Sequence, residues 1–327
     1  MKKLLLILCL FFTIQESFSQ FYKDKEPFTH TYSIVARDSI TGEMGVAVQS
    51  HWFSVGSLVT YGKAGVGVVA TQSLVNPSYG PNGLKLMEKG LTPQQALDSL
   101  MMIDEGAAYR QVAFLNKDGL VASHTGDKCI TAAGHVTGPN FSVQANMMLR
   151  PTVWDAMANA FKTTEGSLAE RMLAAMKAAE KEGGDIRGKQ SAAMLIVKPE
   201  STGNSWEDTV LELRIEDYEN PIRELERLLK VHKAYDFMNQ GDIAMEHGDS
   251  EKAEQLYLSA QKLFPKNLEM KFWYAINLLN NEDYEKAHPI LKDIFFQDNH
   301  WRLLTERLVH SELLTIPHEE VQKVLKL

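Results

Sequence analysis

At Pro221 the sequence changes its period, and that change decides what the chain can be. Upstream, apolar residues come in short runs broken by turn formers, the pattern of strands with a few helices between them. Downstream, to Leu327, strand signals stop and a segment repeats. "DSEKAEQLYLSAQKLFP" from Asp249 returns as "DYEKAHPILKDIFFQDN" from Asp283, an offset of 34 residues. A repeat of that length is one helix–turn–helix unit, which buries its apolar face only by stacking on its neighbours. An all-α module over 221–327 is expected, closed by a degenerate third pair in "HWRLLTERLVHSELLTIPHEEVQKVLKL".

The upstream part reads as alternating sheet and helix blocks. "TYSIVAR" and "EMGVAVQS" flank the turn-rich "DSITG", a hairpin pattern. "AGVGVVATQS" is a glycine-rich buried strand, followed by the turn formers of "NPSYGPNG". "GLKLMEKG" and "TPQQALDSLMM" read as helices, the second with Thr92 as N-cap, Pro93 at the first helical position and Gln95 closing a capping box. "RQVAFLN" and "LVASHT" enclose Lys117-Asp118-Gly119, a second hairpin. After the strand "FSVQANMM" come the helices "TVWDAMANAFKTT" and "SLAERMLAAMKAAEKEGG", then the strands "QSAAMLIVKP" and "VLELRIED". This order fits a layered α+β domain with helices outside packed sheets.

The first nineteen residues stand apart. Lys2 and Lys3, an apolar run from Leu4 to Ile14, and Ser17 and Ser19 have the layout of a secretory signal cleaved before Gln20. An exported protein, periplasmic or extracellular, is therefore expected, with residues 20–28 as a flexible lead-in. No later apolar stretch is long enough to span a bilayer after signal removal. Cys9 lies in the signal, so only Cys129 is left, and neither a disulfide nor a cysteine-based zinc cluster can form. The net charge of -8, with no basic run, argues against a nucleic-acid partner.

Two resemblances follow from these stretches. With Ala234 at the first repeat position, Gly241, Ala253, Tyr257, Ala260 and Pro265 fall on the small, small, aromatic, small and proline positions of the tetratricopeptide (TPR) motif, which residues 221–327 thus resemble. In the second unit Ala275 and Ala287 fit, while Leu291, Ile294 and Asn299 replace the later types. The stretches "TYSIVARD", "TGEMGVAVQS", "AGVGVVATQ", "NPSYGPNGL", "ASHTGDKC", "GHVTGPNFSVQANM" and "GKQSAAMLIV" make residues 29–217 resemble the bacterial family labelled domain of unknown function 1028, whose fold is like that of the N-terminal nucleophile (Ntn) hydrolases. That resemblance implies a four-layer αββα sandwich and, by analogy, amide-bond chemistry.

An Ntn enzyme attacks with the side chain of its first residue and uses that residue's own α-amine as base. The resemblance places Thr31 at the nucleophile position. This chain departs from the family pattern, because signal cleavage leaves about eleven residues ahead of Thr31. A second cut at His30–Thr31 is needed, since an acylated nitrogen is no base.

Each candidate has a plainer reading. Thr31 is a nucleophile or an ordinary strand residue. Ser33, on the same sheet face, is a catalytic candidate that would orient it. Asp38 is a third catalytic candidate, or a turn initiator. Ser50, Gln72, Asn76, Gln144, Asn146 and Gln190 are candidates for substrate or oxyanion contacts, or loop braces. His30, His51, His124 and His135 show no metal-ligand spacing, and no cofactor signature is visible. A Ser50–His124–Asp127 triad has no nucleophile-elbow motif behind it. The reading is an exported Ntn-type amidohydrolase acting on a small amide or peptide. Its TPR-like module would take a protein partner or a second copy. The alternative is a non-catalytic ligand-binding or assembly protein on the same scaffold.

Overall fold

The computed structural model describes residues 28–29 and 31–327, and the expected signal and most of the lead-in lie outside them. Compact packing divides the chain into two units, one ending at Glu226 and the other Arg227–Leu327.

The first unit is built on two antiparallel sheets. In one, β5 (Gly67–Leu74) pairs with β6 (Arg110–Asn116), which pairs with β7 (Val121–Thr125). The outer edge of β5 is shared by β4 (Thr60–Lys63), opposite residues 67–70, and β1 (Phe28–Thr29), opposite Leu74 and Ser73. The other sheet runs β11 (Thr209–Ile215), β10 (Ser191–Val197), β3 (Met44–Ser50), β2 (Thr31–Arg37), β9 (Phe141–Ala145) and β8 (Gly134–Gly138). Strand alternation gives each sheet two apolar faces. Between the sheets lie Val35, Val46, Val48, Val68, Ala70, Ala113, Leu115 and Ala193, all buried. On the outer face of the first sheet, Val69, Val112 and Phe114 pack with Tyr79, Leu84 and Leu97 of α2 (Tyr79–Glu88) and α3 (Pro93–Met101). The outer face of the second sheet is covered by α4 (Val153–Thr163) and α5 (Leu168–Lys181).

Local chemistry explains the boundaries. Thr92 and Gln95 form the expected capping box of α3, and Ser167 with Glu170 forms another at α5. The helix α2 starts earlier than the sequence suggests, running through Tyr79-Gly80-Pro81-Asn82-Gly83. The reason is packing: a Cβ on Gly80 would sit 2.3 Å from the Tyr61 ring, and one on Gly83 2.5 Å from that of Phe114. These glycines let a helix lie directly on aromatic rings. A one-turn helix α1 (Gly56–Val59), β4 and β8 also go unannounced in the sequence. In β8, "GHVTG" is bounded by glycines that face Trp154 and Phe141, with Cβ clearances of 2.7 and 2.3 Å.

Helix α6 (Pro221–Glu246) contains the boundary between the units. Beyond it come α7 (Ser250–Leu263), α8 (Leu268–Asn280), α9 (Tyr284–Gln297), α10 (His300–His310) and α11 (His318–Val324), with α7 on α8, α8 on α9 and α9 on α10. The sequence repeat is a structural one. Asp249 accepts from the Lys252 amide and Asp283 from the Lys286 amide, each capping the first helix of its unit. Ala253 and Ala287 are fully buried at equivalent positions, and a Cβ on Gly241 would meet the Tyr257 ring at 2.7 Å. No helix among the described residues is long and apolar enough to cross a membrane.

Because Ala253 is fully buried, Ala253→Leu is expected to overpack the α7 contact. Thermal unfolding of the full chain should show a second-unit transition destabilised by about 1–3 kcal/mol. An unmoved transition would mean that α7 and α8 are not in close contact.

Candidate active site

Along the inter-sheet core the side chains change character toward one end. On β5 the inward series runs Val68, Ala70, Gln72; on β6 it runs Leu115, Ala113, Gln111; on β2 it runs Val35, Ser33, Thr31. Gln144 of β9 and Asn146 just after it face the same space. Thr31, Ser33, Gln72, Gln111, Gln144 and Asn146 are each fully buried. Amides in such a place must satisfy one another.

They do so in one continuous network. The Ser33 hydroxyl donates to Gln72 Oε1 (2.6 Å) and accepts from Gln144 Nε2 (2.6 Å). Gln144 Oε1 accepts from Ser142 (2.9 Å), whose oxygen lies 2.7 Å from that of Ser123. Gln111 Oε1 accepts from Gln72 Nε2 (2.7 Å) and Asn146 Nδ2 (2.9 Å). Its own Nε2 donates to Thr125 Oγ1 (2.8 Å) and to the carbonyls of Ala145 (2.9 Å) and Gly134 (3.2 Å). Every member of this chain is neutral.

The network converges on the backbone of Thr31. Its carbonyl accepts from Gln72 Nε2 (3.1 Å), the Asn146 amide (3.1 Å) and Asn146 Nδ2 (3.3 Å). Its hydroxyl, equally buried, has no hydrogen-bond partner among the described residues. A buried hydroxyl left in that state is unfavourable by roughly 1–3 kcal/mol. On its N-terminal side the chain changes sheets: β1 belongs to the sheet of β5, β2 to the other, with a single residue between them. His30 itself lies outside the described residues.

The other candidates are placed differently. Ser33 shares the face of Thr31 but does not orient it, because its hydroxyl is engaged by Gln72 and Gln144. Asp38 is not at the site. It sits at the far end of β2, about 20 Å along the strand, where Oδ1 accepts from the amides of Ile40 (2.7 Å) and Thr41 (2.9 Å) and Oδ2 meets Arg171 at 3.5 Å. Asn76 braces a loop, accepting from the amide (3.1 Å) and hydroxyl (2.7 Å) of Ser78 and donating to Asp104 (3.4 Å). Gln190 contributes backbone, its amide bonding Ser50 and its carbonyl accepting from Tyr218. Ser50 lies directly across from Thr31 on one side and Ser191 on the other. Gln72 and Asn146 hold the Thr31 carbonyl, so they are positioning groups here. His124 Nε2 lies against the Ala107 carbonyl (2.8 Å) and forms no triad with Ser50.

Gln111 is the residue that sequence reasoning missed. Its signal was available, since Leu115-Ala113-Gln111 mirrors Val68-Ala70-Gln72 across the pair. Ser191, across from Ser50, donates its hydroxyl to the Trp52 carbonyl and accepts from the Val55 amide. From Gln111 the network reaches outward through Thr125 to His135 Nδ1 (2.8 Å), on the wall of a cavity of about 660 Å³ that also includes Cys129 and Trp154. Burial, then the neighbouring His124, pushes the His135 pKa down, and burial pushes the Cys129 thiol up. Among the described residues no group of three or more His, Cys, Asp or Glu is arranged to hold a metal.

The profile of the Family of unknown function (DUF1028) matches residues 31–225. Among solved structures, the crystal structure of protein SPO2555 from Silicibacter pomeroyi, of the same family, is 32% identical with a TM-score of 0.56, covering 62% of this chain and 88% of its own. Anbu, the ancestral β-subunit from Yersinia bercovieri, aligns over 60% of this chain and 92% of its own at 11% identity and a TM-score of 0.31, too low to support an inference. No curated protein matches the chain.

Two substitutions separate the network from the strand's far end. Gln111→Leu removes an acceptor for two amides and a donor to Thr125 and two carbonyls. Chemical denaturation should show a loss of about 3 kcal/mol or more. A loss under about 1 kcal/mol would mean the network is dispensable. At Asp38, burial raises the carboxyl pKa, but the amides of Thr41 and Ile40 and then Arg171 outweigh it and hold the pKa below its ordinary value. Its stabilisation is therefore complete above about pH 4 and is lost as pH falls through the lowered folded-state pKa. Asp38→Asn should be less stable than wild type at pH 7, with the gap closing at lower pH. A pH-independent gap would contradict this assignment.

Proposed function

We propose that this chain, which belongs to the family of unknown function DUF1028, is the precursor of an Ntn-type amidohydrolase whose nucleophile is Thr31. One observation carries the reading: Thr31 Oγ1 is fully buried and has no partner among the described residues, while three donors fix the carbonyl of the same residue. A strand residue of merely structural use needs no such arrangement. The paired sheets with helices on both outer faces agree with an αββα Ntn-like sandwich.

The chemistry starts with hydrolysis of the His30–Thr31 peptide bond, by self-cleavage or another protease, which leaves a free α-amine on Thr31. That amine takes the hydroxyl proton as Oγ1 attacks the carbonyl carbon of a substrate amide. The C–N bond then breaks, and the amine passes its proton to the leaving nitrogen. Water next attacks the Thr31 ester, giving a carboxylic acid and restoring the hydroxyl. No metal or cofactor enters. Gln72, Gln111 and Asn146 keep the Thr31 backbone in place during both steps.

The N-terminal segment supports export of the precursor. In the helical unit, the 34-residue repeat with its paired Asp caps supports a TPR-like module that takes a protein partner or a second copy. A ligand-binding protein on this scaffold is the second reading. It is favoured by the strand pairing of the leader, which leaves the Thr31 nitrogen acylated.

Two forms of the chain discriminate. One begins Met-Thr31, so that Met removal frees the amine; the other keeps Gln20–His30. The short form should hydrolyse amides or trap an electrophile at Thr31, the long form only after losing its leader. Thr31→Ala should abolish both, and Thr31→Ser should retain part of the rate. Because the free amine is the base, the rate should rise with pH through an apparent pKa at or below about 8, since burial lowers an amine pKa. If native mature protein keeps its leader and both forms are inert to a broad amide panel, the hydrolase reading falls and the binding reading stands.

A further inference from the structure

We infer that the outer edge of β5 at Ser73–Leu74 is a binding site for an extended peptide, held through its backbone as an added strand, and that the leader occupies it first. This rests on the Ntn reading for its role as a substrate site, though the binding itself does not. The observation is the register of β1, with Phe28 opposite Leu74 and Thr29 opposite Ser73. Strand β4 occupies the same edge only as far as Ala70, so cutting and releasing the leader opens the edge beyond it.

Geometry ties this edge to the nucleophile. The leader is the acyl side of the His30–Thr31 bond, so its path is one an acyl chain takes when its carbonyl lies beside Thr31. A substrate carbonyl must reach the same hydroxyl. An extended peptide whose second and third residues before the scissile bond pair with Ser73 and Leu74 meets that requirement. Recognition by strand addition reads backbone first and side chains second.

The edge is also built rather than incidental. Ser73 has a left-handed backbone (φ 76°), uncommon for a residue with a side chain and frequent where a strand bends beside a functional site. The Leu74 carbonyl accepts from Arg110 Nη1 (2.5 Å). Arg110 is in turn clamped by Asp104 through Nε (2.9 Å) and Nη2 (3.2 Å), a nearly buried pair. Burial raises the Asp104 pKa, but bonds from Arg110 and the Gly106 amide outweigh it, so the carboxylate stays charged. The end of β5 is thus fixed from behind while its outer edge faces the leader.

The test uses the full chain with Thr31→Ala, so that no chemistry occurs, and with Phe28→Pro and Thr29→Pro, which remove the leader's strand-pairing amides. The probe is a fluorescently labelled synthetic peptide of residues 20–30, read by anisotropy. It should bind this chain at least tenfold tighter than the chain carrying Thr31→Ala alone, where the tethered leader competes. In an antiparallel pair, neighbouring residues alternate in pointing their amides at the partner. N-methylation at Phe28 or at Thr29 should therefore abolish binding in one peptide and spare it in the other. Equal binding to both chains, no binding to either, or equal binding of the two methylated peptides overturns the proposal. As a check independent of the variants' folding, one amide of Ser73 or Leu74 in unmodified chain should exchange hydrogen at least tenfold slower than in the double-proline chain; equal rates also overturn it. If the peptide binds as stated while wild-type chain is inert and unprocessed, the hydrolase reading fails and the peptide site stands.

Discussion

Buried amides can be stable in a sandwich core only when their hydrogen bonds close on one another, and this requirement governs the end of the fold around Thr31. Valine and alanine further along the same interface make few demands on register, since their contacts are non-directional. Gln111 is different. Its single side chain needs β5, β7, β8 and the end of β9 at set distances together. A one-residue slip of β5 or β7 would turn Gln72 or Thr125 to the opposite face, and a slip of β8 or β9 would put a different carbonyl before the Gln111 side-chain amide. The network is therefore what selects one register among several that the apolar core alone would accept. The same network fixes Thr31, its carbonyl caught between Gln72 and Asn146.

Neutrality matters as much as connectivity. A carboxylate or ammonium in this position would need an opposite charge and full hydrogen bonding to offset desolvation. Glutamine, asparagine and serine give directional positioning without that cost. An α-amine generated at Thr31 would meet amide dipoles and no ion within the network. Its neutral form would be favoured by burial, which is the protonation state a base needs. The charged pairs of this unit lie elsewhere, as with Asp104 and Arg110 behind β5 or Asp185, bonded by Arg187 (2.6 Å) and the His51 amide (3.2 Å).

Much of this could be read in the sequence because it follows from period and capping. The hairpins, the capping boxes at Thr92 and Ser167, and the repeated Asp249 and Asp283 caps are local patterns with local causes. Asp38 takes the turn-initiating reading over the catalytic one, for the converse reason. Thr31 and Asp38 bound the same strand, both are polar, and nothing local tells which end faces the amides; only the partner strands decide. Gln111 carries a local signal in its mirroring of Gln72, but its role depends on four elements distant in sequence. Strands β4 and β8 are short, glycine-containing and held by neighbours, so intrinsic propensity hardly marks them. Asn76 and Gln190 have the chemistry of a site, but their surroundings use them to brace loops.

The leader strand is held by its connection as well as by its pairing. Each backbone hydrogen bond between β1 and β5 contributes about 0.5–1.5 kcal/mol net. What keeps β1 on the edge of β5 is its covalent link to β2, which is locked in the middle of the other sheet between β3 and β9. The tether supplies a high effective concentration for that pairing. Cutting the bond before Thr31 removes that advantage at the same moment that it creates the amine. A leader held this way occupies the edge while attached and exchanges readily with another extended chain once detached.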